Sequence, residues 1–553
     1  MIKKKFNKIE RLKQTLHPSE YSKRLQTLNW REIDESDRFY LKNFGIYNIK
    51  LRPDSFMLRV RIDGGRISYA KLEQIAGIVE KYSLKLLLTS RAQLELHDIS
   101  PDRVYEIYTH LKTCNISTSQ TLTDNFRAII SDPYDGKALD SHIECYSIIE
   151  KINQLIIDDP KWIGSIPRKF NTAIIGRKTP LVNPWNNDLL FALAEKREVE
   201  GFNIYLGGKN AKVAQTADIF VVPAEALKLF EAVAETYRHY GLRGSRSKVR
   251  FFHLIEKVGM MQIRIWIEDA FGKSLETEGT LLMQSSHYQS ETALKEGGSA
   301  SVYPTRYGEC STGELHEILS RAKTEGTEIR LGTDQNFHLL ASEVKMSQQC
   351  ESSNLLTVCA GARYCPLSLW DIKEDVHLLP LKKFKKYNIS IGFSGCLKGC
   401  GRHYFADIGL IGLRTNLYGE TEKALRVFMG AVESPEVMPS RMLYYSVPLR
   451  KITSLFDVIF DDFERSIFND FEIFSYNILN RHDIEFLQLW YIARQLFAIE
   501  LSMLELFFNT LETEENEAKI FAYLKKTVNC SECETHASLT RQLSHLLWDQ
   551  QEL

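Results

Sequence analysis

The chain reads FMLRVRIDGGRIS at 56–68, YAKLEQIAGIVEKYSL at 69–84 and KLLLTSRAQLELHDI at 85–99. The outer stretches alternate apolar and polar residues, as half-buried strands do. The middle one places apolar residues three and four apart, as an amphipathic helix does. The order strand, turn, helix, strand recurs in SASVYPTRYGECS (299–311), TGELHEILSRAKTEG (312–326) and EIRLGTDQNFHLLAS (328–342). Self-similarity on this scale decides an architecture, unless two common α/β patterns merely coincide. Neighbouring segments extend the parallel. IPRKFNTAIIG (166–176) and KYNISIGFSGC (386–396) each read as a strand emerging into a functional loop. FNIYLGG (202–208), ADIFVVP (217–223) and ADIGLIG (406–412) read as further short strands closed by Gly or Pro. The expected fold is α+β, with a pseudo-two-fold repeat.

Composition bounds the function. A chain of 553 residues has room for about three or four domains. Its 44% hydrophobic and 25% charged residues describe an ordinary soluble globular protein. The formal net charge of −1 gives no global field to draw nucleic acid or a membrane surface, and neither is an expected partner. The opening MIKKKFNKIERLKQT is basic but has no apolar signal core, and no run approaches the roughly twenty apolar residues of a membrane span. Ten cysteines in so long a chain are no disulfide scaffold. A cytoplasmic, reducing compartment is expected, in which thiolates stay available as ligands.

Four of those cysteines fall in two pairs, Cys359 and Cys365 in VCAGARYC, then Cys396 and Cys400 in FSGCLKGCGRHYFADIGLIG. The pattern is C-x5-C, thirty residues, C-x3-C. Four thiolates suit a soft metal centre, an iron–sulfur cluster first among them. Structural zinc is the rival, although its cysteines usually pair at two to four intervening residues. From about 430 onward the chain turns rich in Phe, Leu, Ile and acidic residues at helical spacing, which predicts amphipathic helices for core or dimer packing. Within it Cys530 and Cys533, with His536 behind, form a lone CxxC: a metal or redox pair, or incidental cysteines.

The cysteine pattern, the repeat and several basic motifs together resemble the siroheme-dependent assimilatory sulfite and nitrite reductases over about residues 50–430. The resemblance implies ferredoxin-like half-domains at 51–118 and 291–348 and siroheme/[4Fe–4S]-binding α+β domains at 119–290 and 349–475. An N-terminal segment (1–50) and a helical C-terminal extension (476–553) complete the expected division. It also implies that Cys359, Cys365, Cys396 and Cys400 hold a [4Fe–4S] cluster, with Cys400 bridging to siroheme iron. MLRVR resembles the family's MLRxR strand, which makes Arg59 a substrate cation; TDNFRAIISDP and IPRKFN add Arg127, Lys169 and Asn171 in the same way. Alternation along a strand puts 169 and 171 on one face.

Siroheme carries eight carboxylates, which favour the bidentate fork of Arg. TSRAQLELH resembles TTRQNxQLxG and implies Arg91 and Gln93 as cofactor ligands, while Ala92 replaces the usual Gln. Arg246 and Arg250, in RGSRSKVRFF, are cofactor ligands or structural cations. In the second copy Asp334 stands where the first has a cation, so that copy is expected to be scaffold, with Gln335 and Asn336 offering neutral hydrogen bonds. Position 171 discriminates substrates: sulfite reductases of this family typically read RKFK, nitrite reductases RKFN, and this chain reads RKFN. Nitrite is a monoanion and sulfite near neutral pH partly a dianion, and an uncompensated buried cation is costly. The expected reaction is six-electron reduction of nitrite to ammonia, with sulfite to sulfide as the alternative. No G-x-G-x-x-G opens a strand–helix unit, so an external donor such as ferredoxin is expected. CAGARYCPLSLWDIK departs from the C-T-G-x-x-F-C-G form, and the C-terminal tail is unusually long. Residues 128–136 hold no cysteine to crosslink with Tyr69. A metal-stapled binding protein and a non-catalytic siroheme binder are the rival classes.

Overall fold

The structure, a computed structural model, describes residues 6–284, 291–295, 297–341, 355–434 and 436–549. The expected boundaries at 290 and 348, the last residue of the second copy (Ser342) and the first five residues of the basic N-terminal run lie outside them. Two compact units emerge, Met1–Asn354 and Leu355–Leu553.

In the first unit the copy quoted at the outset folds as β1 (Ile46–Ile49), β2 (Arg52–Val60), β3 (Arg66–Ile67), a helix (Tyr69–Lys81), β4 (Lys85–Leu88) and β5 (Leu94–Ile99). Ser68 caps the helix by accepting from Lys71 N, and Leu72, Ile75, Ala76 and Val79 form its buried stripe. Residues 122–284 follow with β6 (Thr172–Ile175), β7 (Leu189–Lys196), β8 (Val199–Leu206), β9 (Gln215–Val221) and β10 (Thr280–Leu281). β6 runs parallel to β7, and β8 and β9 continue antiparallel. The second copy closes the unit with β11 (Glu291–Ala293), β12 (Ser299–Tyr303), β13 (Glu309–Cys310), a helix (Thr312–Glu325), β14 (Glu328–Leu331) and β15 (Phe337–Ala341). Ser311 and Glu314 form a capping box at the start of that helix, and Gly326 ends it in the left-handed region.

The two copies trade strands. One sheet runs β1-β2-β5-β4-β13 and the other β11-β12-β15-β14-β3, so each copy gives its two-residue strand to the other's edge. Two glycines make the exchange possible. A Cβ on Gly65 (φ +71) would lie 2.3 Å from the Leu331 carbonyl oxygen, and one on Gly308 (φ +83) would lie 2.3 Å from that of Leu88. The two helices pack together, and one core joins both copies, with Leu58, Leu72, Ile75 and Leu96 beside Leu315, Ile318, Ile329 and Leu339.

Among the described residues the second unit has one sheet, β16 (Leu356–Val358), β17 (Ile391–Ser394), β18 (Ile408–Thr415), β19 (Glu422–Met429) and β20 (Arg441–Pro448), parallel through β18 and antiparallel after it. The sequence from 430 was expected to be helical, but RMLYYSVP is strand β20, because it pairs with β19 and buries Leu443, Tyr444 and Val447. Helices begin at Ile452. The aromatic stripe is core: Phe456, Phe460, Phe463, Phe471 and Phe474 are in mutual ring contact. Further on, the ring of Phe507 stacks between His482 (4.8 Å) and Trp490 (4.5 Å). Cys530 and Cys533 are joined in a disulfide ahead of the helix His536–Trp548. No helix among the described residues is long and apolar enough to cross a membrane.

Candidate functional site

Arg59 on β2 and Glu95 on β5 are direct cross-strand partners, a spacing at which side chains pair. Arg59 Nε donates to Glu95 Oε1 at 2.8 Å and its Nη2 closes on the same oxygen. His97 Nε2 lies 2.9 Å from the other carboxylate oxygen. Burial alone would raise the Glu95 carboxyl, yet Arg59 and His97 pull it down to about 2. Two residues further on, just past the end of β2, the buried Arg61 donates to the carbonyls of Phe126 and Arg127 and to Asn153. It thereby fixes the segment that carries Arg127.

Arg127 is the outlier of the region. Its Nη2 donates to the Thr123 carbonyl at 2.9 Å, while Nε and Nη1 are buried without any hydrogen-bond partner. Burial, then the approach of Arg59, Arg91 and Arg168, drives its pKa well below the usual guanidinium value. Arg91 stands on the β4–β5 turn, donating to Asn187 Oδ1 and the Ala128 carbonyl, both at 3.1 Å. Four guanidinium groups therefore converge, and a buried cation without a counter-charge is costly.

The RKFN segment lies just ahead of β6, not within it. Phe170 makes a single parallel bridge to Phe126 and packs its ring on Phe126, Tyr237 and Phe251. That burial pins the extended segment and sets the half-buried Lys169 and the buried Asn171 on the other side. Asn171 Oδ1 is buried and unpartnered, and its backbone N–H donates to Asp188 at 2.8 Å.

Gln93, Arg246 and Arg250 are each hydrogen-bonded to protein groups, and for the two arginines this matches the structural-cation alternative. Gln93 is buried; its Oε1 accepts from Ile62 N, and its Nε2 donates to the carbonyls of Ile62, Arg91 and Ala92, so the amide is a turn brace. Arg246 forks onto Asp124 at 2.5 and 2.6 Å, and Arg250 onto Asp188 at 2.6 and 3.0 Å. Asp188 thus links Arg250 to the backbone of Asn171, which makes Arg250 a strut. Asp124 is held as well by Lys13 at 3.0 Å and approached by Arg168 at 3.6 Å.

The second copy neutralises the equivalent positions internally. The turn 89–93, closed by Thr89 N to Gln93 O, is matched by 332–336, closed by Gly332 N to Asn336 O. Arg91 is thereby matched by Asp334. Asp334 Oδ1 lies 3.2 Å from His338 Nε2, and His338 Nδ1 lies 2.7 Å from the Tyr134 hydroxyl. Val302 and His338 pair where the first copy pairs Arg59 and Glu95. Gln335 and Asn336 bond to the Leu88 carbonyl and to Thr305 N.

In the second unit Cys359 follows β16 and Cys396 and Cys400 follow β17, at the carboxyl ends of two parallel strands. Gly395 N donates to Cys359 Sγ at 3.1 Å. Burial pushes the Cys359 thiol up to about 12, and Cys400 and Cys365 add to the rise through their proximity. Among the described residues no three His, Cys, Asp or Glu side chains converge as for a single metal ion.

Residues 49–114 match the family model described as "Nitrite/Sulfite reductase ferredoxin-like half domain", and residues 122–275 that described as "Nitrite and sulphite reductase 4Fe-4S domain". Similar proteins include a ferredoxin–nitrite reductase of Synechococcus elongatus, 27% identical over 467 residues and covering 77% of this chain and 90% of that one. A ferredoxin sulfite reductase of Mycolicibacterium paratuberculosis is 26% identical, covering 73% and 82%. The chain carries two domains of the nitrite/sulfite reductase family. It is an oxidoreductase of that type. The structure of the Mycobacterium tuberculosis NirA protein shares the fold, with a TM-score of 0.76 at 22% identity, covering 87% of this chain and 97% of that one.

Siroheme and a [4Fe–4S] cluster are the cofactors of this family, and the residues present fit both. Buried, unpartnered guanidinium nitrogens on Arg127 call for an anion such as a siroheme carboxylate or the substrate. A buried thiol that accepts a backbone N–H and lies near two other cysteines suits a cluster, which would displace the thiol proton. The residues that motif reading passed over are Glu95, Arg61, Asp124, Arg168 and Asp188. Arg168 was legible as the neighbour of Lys169. The carboxylates were not, because their partners lie far away in sequence.

Proposed function

We propose that this nitrite/sulfite reductase reduces nitrite to ammonia in a six-electron reaction, with electrons supplied singly by an external donor of the ferredoxin type. The single observation that carries the anion site is Arg127, buried with two unpartnered nitrogens amid Arg59, Arg91 and Arg168. When bound, the siroheme supplies an iron centre for the anion and the cluster supplies stored electrons. The chain's own residues do the rest. Arg59 and Arg127 bind and orient the anion through preorganised charge. Lys169, half-buried and next in sequence to Arg168, donates protons to departing oxygens. Cys359, Cys365, Cys396 and Cys400 hold the cluster, and Arg91 pairs with a cofactor carboxylate.

Nitrite is favoured over sulfite because position 171 carries an amide, which supplies a hydrogen bond without adding a charge. Relatives bearing both names match at similar identity, so the choice rests on that residue and not on likeness. The test is steady-state turnover of nitrite and sulfite with one reduced donor. Nitrite should win, and a tenfold preference for sulfite would overturn the assignment. Asn171→Lys should move the ratio toward sulfite; an unmoved ratio leaves the charge argument without support. A purified protein lacking the Soret and far-red bands of siroheme would sink the cofactor assignment.

A further inference from the structure

Glu95 is the carboxylate set directly on a substrate cation. Asp124 and Asp188 face Arg246 and Arg250, while Glu95 faces Arg59 across a strand pair. Its side chain is only 5% exposed, and both oxygens are taken, one by Arg59 Nε and Nη2, the other by His97 Nε2. Sealed in this way it is badly placed to pass protons to a substrate. The Arg59 side chain, by contrast, keeps 27% exposure while its Nε edge is committed to Glu95.

Two consequences follow from this geometry. The cross-strand pairing fixes the plane and direction of the Arg59 fork. The buried negative charge also lowers the positive potential of the cluster formed by Arg59, Arg91, Arg127 and Arg168. A fixed charge acts on a dianion with twice the energy it exerts on a monoanion. We infer that Glu95 is a positioning and specificity-determining residue, orienting Arg59 and setting the anion site for singly charged substrates. The inference rests on the nitrite/sulfite reading of the site and deepens it, since Asn171 withholds a positive charge and Glu95 subtracts one.

The experiment is calorimetric titration of the oxidised holoenzyme with nitrite and with sulfite at about pH 8, beside steady-state turnover of both anions. Glu95→Gln keeps the shape and a hydrogen bond to Arg59 but removes the charge. It should tighten sulfite relative to nitrite by about tenfold or more, and the kcat/KM ratio should shift the same way. Glu95→Asp keeps the charge and should leave the affinity ratio within about twofold of wild type. Glu95→Leu also removes the charge, so whichever neutral variant retains the siroheme absorption and the wild-type melting profile is read. An unchanged affinity ratio in that variant, or an equal shift in Glu95→Asp, overturns the inference. Loss of turnover with both anions in wild type would overturn the functional reading instead, while the two affinities still decide the role of Glu95.

Discussion

Arg127 shows how a single side chain can reveal a missing partner. A guanidinium has five donors, and folding rarely buries them unsatisfied. Two nitrogens of Arg127 are buried and unpartnered, beside Arg59, Arg91 and Arg168. Binding of an anion would satisfy those nitrogens and offset the repulsion together. Arg127→Gln is therefore expected to lower kcat/KM for nitrite by roughly 10²–10³-fold, the scale of losing one preorganised donor to a developing charge. The thermal midpoint should hold or rise, because a buried repulsion is relieved; a fall in both would mark Arg127 as structural. At this scale the basic motifs were legible, since Arg59, Arg127, Lys169 and Asn171 stand in short local strings. The protein partners of Gln93, Arg246 and Arg250 were not legible, because Ile62, Asp124 and Asp188 lie 31, 122 and 62 residues away.

The repeat is carried by elements, and its weak point is the strand exchange. β3 and β13 are two residues long and hold their places through pairing with the other copy's β14 and β4. Each follows a left-handed glycine pressed against a carbonyl of that other copy. Gly65→Ala and Gly308→Ala each add a Cβ that would meet backbone oxygen at 2.3 Å and force alanine into a positive φ. Each is expected to cost about 3 kcal/mol or more, seen as a lower thermal midpoint or as loss of soluble protein. Gly77, a helical glycine with open space around its Cβ position, is the control; Gly77→Ala should be neutral or stabilising by up to about 1 kcal/mol. Alternation and helical spacing made the strands and helices of both copies readable, since those patterns are local. Strand β20 was missed because the aromatic-rich sequence around it resembles a helical stripe, and only its pairing with β19 selects the extended form.

Over the whole molecule, buried carboxyls set how stability responds to pH. Burial pushes Asp135 up to about 7, even as it accepts from the backbone of Cys145 and Tyr146. Burial likewise pushes Asp407 up to about 6 while it accepts from Ser390. Both folded values lie above the ordinary aspartate value of 3.8. Their stabilising contribution is fully present below about pH 4 and is lost as the pH rises through about 6 and then 7, a decline on the order of a few kcal/mol. Thermal midpoints measured across that window should fall in wild type, and the fall should flatten in the Asp135→Asn, Asp407→Asn double variant. An equally steep fall in the variant would assign the pH response to other groups. Glu95, held at about 2, works in the opposite sense, its contribution being present above about pH 4.5 and lost as the pH falls toward 2.

What the sequence by itself determined is the α+β repeat, the cysteine quartet and the basic motifs. Each is written in spacing over a few consecutive residues, where side-chain direction follows from backbone period alone. What only the tertiary structure decided is the charge of the site. Whether an arginine is free for an anion or already paired depends on carboxylates brought in from distant strands and loops: Glu95 on Arg59, Asp124 on Arg246, Asp188 on Arg250. The exchanged strands β3 and β13 belong to the same class, since two-residue segments carry no pattern of their own and exist through the partner that pairs with them.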